Sequence, residues 1–224
     1  MLNQILAKPR RLAGFAARLR ANSSGLALTE FALSVPVLLT LGLFGLETAN
    51  FAMAHLRISN IAMLTADNAA RVRDSIDEAD VIELFTGAKM TGTSIAFPQN
   101  GRIVLSSIEP NTAGSGGSST GQWIRWQRCD GVRNFSSAYG AQGTGQNNAS
   151  LQSVGPATSP ISASSGTAVM VVEVSYIYQP IIPNSFLSGR EIRYESAFNV
   201  RQRTNQAITN SASATARTCN LYNA

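Results

Sequence analysis

The chain is 224 residues long, 44% hydrophobic, and carries a net charge of +5 with a pI near 9.7. That length supports one membrane segment and one modest folded domain, with no room for a second large core. The basic balance does not point to nucleic acid: Lys8, Arg10, Arg11, Arg18 and Arg20 supply the whole excess within the first 25 residues, whereas a DNA or RNA reader needs its basic surface on the folded domain.

Residues 1–25 read as a basic leader. Positive charge ahead of an apolar segment predicts a cytoplasmic N-terminus and an external C-terminal bulk. The "RRLAGF" at 10–15 shares an arginine pair with twin-arginine signals, but it lies well before the apolar run and is equally explained as anchor charge. From Leu26 to Leu46 there are 21 residues with one charge, Glu30; a helix of that length covers about 30 Å, the hydrocarbon thickness of a bilayer. The segment, taken as 26–49, is longer than a secretory signal core, and "GLETANFAMAH" offers only a weak cleavage pattern at Ala52 and Ala54. Pro36 inside it removes one backbone hydrogen bond and predicts a local kink. Gly45 and Ala49 form a small-xxx-small spacing suited to close helix packing.

Past the membrane, residues 50–88 lack proline, carry aliphatic residues at near-helical spacing, and place Asp67 and Arg71 as an i,i+4 pair. This predicts a helix continuing outward, with one break, to about residue 85. The acids Asp74, Asp77, Glu78, Asp80 and Glu83 lack the alternate spacing and turn glycine of a calcium loop and read as a solvated helix face. His55, the single histidine, reads as a polar residue at the outer membrane edge.

The remainder, 89–224, is β-rich. "GRIVLSSIEP" (101–110), "QWIRWQRC" (122–129), "AVMVVEVSYIYQ" (168–179) and "EIRYESAFNVRQR" (191–203) read as four strands, the third with Met170, Val172, Val174, Tyr176 and Tyr178 on one face. In the fourth, Ile192, Tyr194, Phe198 and Val200 point opposite to Arg193, Glu195, Asn199 and Arg201. "NTAGSGGSSTG" is a linker, and 136–167, dominated by small polar residues, reads as a long flexible surface loop. The polar tail ends near Cys219. Cys129 and Cys219 both fall in the external part, where disulfides persist; a bridge would close a loop of about 90 residues and contribute roughly 4–5 kcal/mol through chain entropy, the alternative being two free thiols. Trp123 and Trp126 read as half-buried packing beside Cys129, with an aromatic ligand platform as the other reading.

No His, Cys or carboxylate group has metal-ligand spacing, no glycine-rich phosphate loop follows a strand, and no serine sits in a G-x-S-x-G turn. The chain reads as a non-enzyme without cofactor or metal. "SSGLALTEF" places Gly25, four residues, then Glu30 and Phe31 at the boundary of leader and apolar helix. This resembles the processing site of type IV prepilins, where a prepilin peptidase cuts after the glycine, here between Gly25 and Leu26. "TEFALSVPVLLTLGLFGLE", with "GRIVLSSI" and "WIRWQRCDG", is similar to the TadE-like family of pseudopilins of the Tad (Flp, tight-adherence) pilus.

The resemblance implies a pilin-like α+β fold in which a long N-terminal transmembrane helix continues into a periplasmic helix packed on a small antiparallel sheet. It implies a single-pass inner-membrane protein with prepilin peptidase, other pilins, the assembly platform and membrane lipid as partners. Before cleavage, Glu30 has no cation nearby in the apolar segment, and a carboxylate at mid-bilayer costs about 2.5–3.5 kcal/mol. Cleavage creates an α-amine one turn away that can pair with it, on the same chain or a neighbour. Glu47 lies 17 residues on, about 100° around the helix, and is expected at the water interface or against another subunit. The rival reading is an uncleaved, membrane-anchored binding protein; a second rival is a secreted hydrolase.

Overall fold

The computed structural model describes residues 8–23, 25–111 and 121–222. Most of the expected linker, 112–120, and the first seven leader residues lie outside the described residues. The chain divides into two units, Met1–Thr48 and Ala49–Ala224. Its elements are α1 (Lys8–Ala21), α2 (Leu26–Arg71), β1 (Asp74–Asp77), α3 (Glu78–Thr91), a 3-10 turn (Thr93–Ile95), α4 (Phe97–Asn100), β2 (Gly101–Pro110), β3 (Gln122–Asp130), β4 (Val169–Ile177), β5 (Glu191–Asn199) and β6 (Arg203–Thr209). The class is α+β, with a long apolar N-terminal helix and a small antiparallel sheet of order β3-β2-β4-β5.

Within the first unit, the early part of α2 exposes Leu28, Phe31, Leu33, Leu38, Leu39 and Leu41. Its hydroxyls turn back on their own helix: Thr29 Oγ1 donates to the Leu26 carbonyl (2.8 Å), Ser34 to Phe31 (3.0 Å), Thr40 to Pro36 (2.7 Å) and Thr48 to Phe44 (2.8 Å). A helix whose hydroxyls are satisfied internally suits a medium without water. By length and composition α2 is able to span a membrane. Pro36 lies inside it without ending it.

Within the second unit, α2 changes its composition. Ala54, Ile58, Ile61, Ala62, Ala66, Ala69 and Ala70 recur every three or four residues and are all buried. Small residues on this stripe let the helix lie close to the sheet face formed by Ile103, Leu105, Trp126, Met170, Val172, Val174 and Tyr176. The last carbonyls of α2 have partners from the far end of the sequence: Arg201 N donates to Ala70 (3.2 Å) and Arg203 Nη1 to Ala69 (3.4 Å).

The expected outward helix is therefore divided. After Arg71 the chain turns through Asp74 at φ 57° and forms β1, which pairs in parallel with β6 (Ile76 opposite Ile208, Asp77 opposite Thr209). Neither of these strands was expected; β6 falls at the start of the polar tail. The helix resumes as α3 because Asp77 caps it: its Oδ1 accepts from Ala79 N (3.0 Å), while Asp77 N donates to Asp80 Oδ2 (2.8 Å).

The four expected strands are β2, β3, β4 and β5, and Met170, Val172, Val174 and Tyr176 share one face as the alternation predicts. In β3 a bulge interrupts alternation: Trp126 lies opposite Ser107 and Ile124 opposite Ile108. The extra residue, Arg125, sends Trp126 to the helical face and Ile124 to the other. That second face carries Ile108, Ile124, Val169 and Val171, and Leu151, Val154 and Ala163 cover it. These three belong to 136–167, the segment read as a flexible surface loop, and they are buried. Gly145 at φ 83° lets this cover approach β3, since a Cβ there would lie 2.2 Å from the Gln122 carbonyl oxygen.

Candidate functional site

The candidate processing site is assembled locally. α1 ends with Arg18 and Arg20 in its last turn. Leu26 N donates to the Ser23 carbonyl (3.0 Å), and Thr29 N to the Gly25 carbonyl (3.0 Å), so Gly25 stands immediately outside α2 and its carbonyl receives the first helical hydrogen bond. Gly25 is exposed, with open space where a side chain would lie. Leu26 and Phe31 are 59% and 65% exposed, and Glu30 is exposed one turn into the helix. The peptide bond between Gly25 and Leu26 thus lies on an accessible junction between two helices. Farther along α2, Gly45 and Ala49 are both exposed and one turn apart. Glu47, expected at the water interface or against another subunit, is buried.

In the folded domain, Cys129 and Cys219 form a disulfide with Cα atoms 4.7 Å apart. The tail is held by more than this bond. Cys129 N donates to the Arg217 carbonyl (2.7 Å). Buried Arg102 donates from Nη2 to Cys219 O (2.7 Å) and from Nη1 to Leu221 O (3.0 Å) and Gly131 O (2.8 Å), with its guanidinium 4.0 Å from the Tyr222 ring centroid. Burial lowers the Arg102 pKa, against the opposing influence of Tyr222 and Asp130.

The acids read as one solvated face have separate structural tasks. Glu83 and Asp74 are exposed. Glu78 is buried and accepts from Arg128 Nε through both oxygens (2.9 Å each) and from Arg128 Nη2. Asp77 also accepts from Ser211 N (2.7 Å) and the Thr209 hydroxyl (3.0 Å). Donation from the Ala79 and Ser211 N–H groups, joined by the Ser211 and Thr209 hydroxyls, holds its pKa down at about 2. Partners 50 and 134 residues away carry no local periodic signal.

His55 is partly buried, its Nδ1 3.3 Å from the Tyr194 hydroxyl and its ring edge-on to Phe51. Trp126 is buried and donates from Nε1 to the Gln206 carbonyl (3.0 Å), while Trp123 is partly buried on β3. Among the described residues, no three His, Cys, Asp or Glu side chains group as a metal site.

On the sheet face away from the helix, Glu173 lies opposite Glu195. Burial raises the Glu173 pKa, assisted by the Glu195 charge and opposed by hydrogen bonds from Ser137 and Ala138 N (2.7 Å). Tyr139 donates its hydroxyl to Glu195 Oε2 (2.7 Å) and accepts from Gly155 N (2.7 Å); desolvation together with the bond to Glu195, opposed by the one from Gly155, pushes its pKa up to about 12. The sequence carries no local signal for this cluster because its tyrosine and glutamates come from segments 22 and more residues apart.

These features define an α+β protein with a disulfide and one N-terminal helix long and apolar enough to cross a membrane. No protein-family model, curated protein or solved structure matches the chain.

Proposed function

We propose that the protein is a TadE-like minor pilin or pseudopilin: a single-pass inner-membrane chain with a periplasmic domain, cut between Gly25 and Leu26 by a prepilin peptidase and acting in Tad (Flp) pilus assembly and adhesion. The observation that carries the reading is the exposed Gly25 at the start of α2, with Glu30 one turn inside the apolar helix. A helix that continues into an α+β domain agrees with a pilin-like architecture.

Cleavage would remove the five basic residues of the leader and create an α-amine at Leu26. On a helix, residues four apart lie about 6 Å from each other, so this amine and the Glu30 carboxylate meet on one face, within one chain or between neighbours. The pair would offset the cost of a carboxylate in lipid and favour transfer of the helix into a fibre. Other pilins and the membrane assembly platform are the partners, and no turnover is involved.

Mass spectrometry of the mature N-terminus in cells with an active prepilin peptidase tests the proposal. The expected chain begins at Leu26; one beginning at Met1 would overturn processing and favour an uncleaved, membrane-anchored binding protein. The Glu30→Ala variant should still be cut but assemble poorly, and normal assembly would refute the pairing role.

A further inference from the structure

We infer that α1 is an interfacial helix: it lies along a membrane surface rich in anionic lipid, with Phe15 and Leu19 sunk into the headgroup and acyl boundary and Arg18 and Arg20 on lipid phosphate. The inference rests on reading the apolar part of α2 as membrane-spanning. It does not depend on cleavage or on pilus assembly.

The residues of α1 are sorted around its axis. Within 14–21, Phe15 and Leu19 are the two large apolar residues, and they are 63% and 60% exposed. At 100° per residue they stand about 40° apart. The sequence places Leu12 three residues before Phe15, which makes an i, i+3, i+7 series. Arg18 flanks the stripe about 80° to one side and Arg20 about 120° to the other, and both are exposed. Gly14, Ala17 and Ala21 make up the remaining, small-residue face. One apolar stripe with cations beside it suits the plane of an interface. Spanning is out of reach, because the 14 residues of α1 cover only about 21 Å.

Position and charge name the surface. Four residues, 22–25, separate α1 from α2, so no chain path places Ala21 more than about 18 Å from Leu26. Leu26 opens the apolar run. Where α2 spans, α1 therefore ends within or close to the headgroup layer. The first 25 residues hold five basic residues and no acid, and each Lys or Arg brought to an anionic surface strengthens association about fivefold. Arg side chains beside an apolar stripe lay their stems along it and turn the guanidinium to phosphate, which it meets with two parallel hydrogen bonds. Arg18 and Arg20 also stand in the last turn of α1, where positive charge favours the helix itself. The bond between Gly25 and Leu26 then lies between a helix on the surface and a helix across it.

The test places single tryptophans in the full, uncleaved chain, produced without a prepilin peptidase. The chain is reconstituted in vesicles of phosphatidylcholine, alone or with phosphatidylglycerol, with or without brominated acyl chains. The parent emission from Trp123 and Trp126 is subtracted. Phe15→Trp reports on the apolar stripe, Ala17→Trp on the opposite face of α1, and Leu39→Trp on the span. With phosphatidylglycerol, insertion to the depth of interfacial segments predicts at least about a twofold loss of the Phe15→Trp emission, a much smaller loss for Ala17→Trp and strong quenching of Leu39→Trp. Without phosphatidylglycerol, or with Arg18→Gln and Arg20→Gln added, the loss at residue 15 should shrink while that at 39 persists. Adding Leu19→Glu to Phe15→Trp should do the same. Quenching at 39 with none at 15 overturns the surface helix and leaves the span intact; no quenching at 39 overturns the span and the inference with it. Equal quenching at 15 and 17 overturns the orientation of α1, and equal quenching in the two lipids overturns the anionic surface; either defeats the inference. A blue shift at 15 without bromolipid quenching means that protein, not lipid, covers the stripe, and also overturns it. Cleavage is read separately from the mature N-terminus, so failure of the surface helix and failure of processing are told apart.

Discussion

The two faces of the central sheet are covered by opposite means. One packs against α2, whose buried Ala and Ile residues repeat every three or four positions. The other packs against an irregular segment in which Leu151, Val154 and Ala163 are spaced without period among serines, glycines and asparagines. Both covers exclude water from β2 and β4, which are buried along almost their whole length. The difference shows that an apolar face needs only a few well-placed side chains to cover it, provided that their backbone is held by other bonds. Here Gln122 N donates to Leu151 O (2.7 Å), Ala163 N to Gln122 Oε1 (2.8 Å), and Val154 and Ile161 exchange two hydrogen bonds (2.9 and 2.8 Å). The helical cover depends on repetition and the irregular one on individual polar contacts.

The largest effect is expected on the helical side, at the buried ion pair between α3 and β3. Arg128→Ala leaves Glu78 as an uncompensated buried charge and should cost about 3–5 kcal/mol, read by denaturant unfolding. A smaller loss would show that water reaches Glu78 from the α3 side. Leu151→Ala tests the other cover. Removing this buried side chain should cost about 2–3 kcal/mol, with proteolysis within 136–167 appearing before global unfolding. Unchanged stability would mean that the irregular segment contributes little and that the two covers are not equivalent.

The smallest effect has the opposite sign. Because burial raises the Glu173 pKa in the folded chain, its contribution to stability is present below the ordinary value near 4.5 and is lost as pH rises through the folded value. Glu173→Gln keeps an acceptor for Ala138 N and removes the buried charge. It should raise the Tm at pH 7 and narrow the difference between the melting temperatures at pH 4 and pH 7. A lower Tm at pH 7 would mean that the carboxylate itself holds the irregular cover in place.

These contrasts explain what could be read in advance. The four strands of the sheet were legible because Met170, Val172, Val174 and Tyr176 alternate with residues of the opposite face, and Ile192, Tyr194 and Phe198 do the same. The helix able to span a membrane was legible because composition over about 20 residues decides whether a helix can span lipid. The short parallel pair of β1 and β6 was not legible: four and seven residues joined across more than 125 positions show no pattern until they meet. The acids of 74–83 were assigned together as a solvated face, whereas Asp77 caps α3 and Glu78 is buried against Arg128. The candidate processing site stands apart, since Gly25, Leu26, Glu30 and Phe31 are neighbours in the chain and remain so on the helix.

The sequence by itself determined the apolar helix, the confinement of the net positive charge to the first 25 residues, the alternating strands and the presence of two cysteines in the later part of the chain. Each of these is local or compositional. Only the tertiary structure decided that the outward helix breaks for a strand, that a polar segment covers half of the sheet, and that Arg102 and the disulfide hold the tail together. The physical reason is that periodicity is written into neighbouring residues, while the partner of a lone buried polar group is set by which distant segments the fold brings within hydrogen-bonding distance.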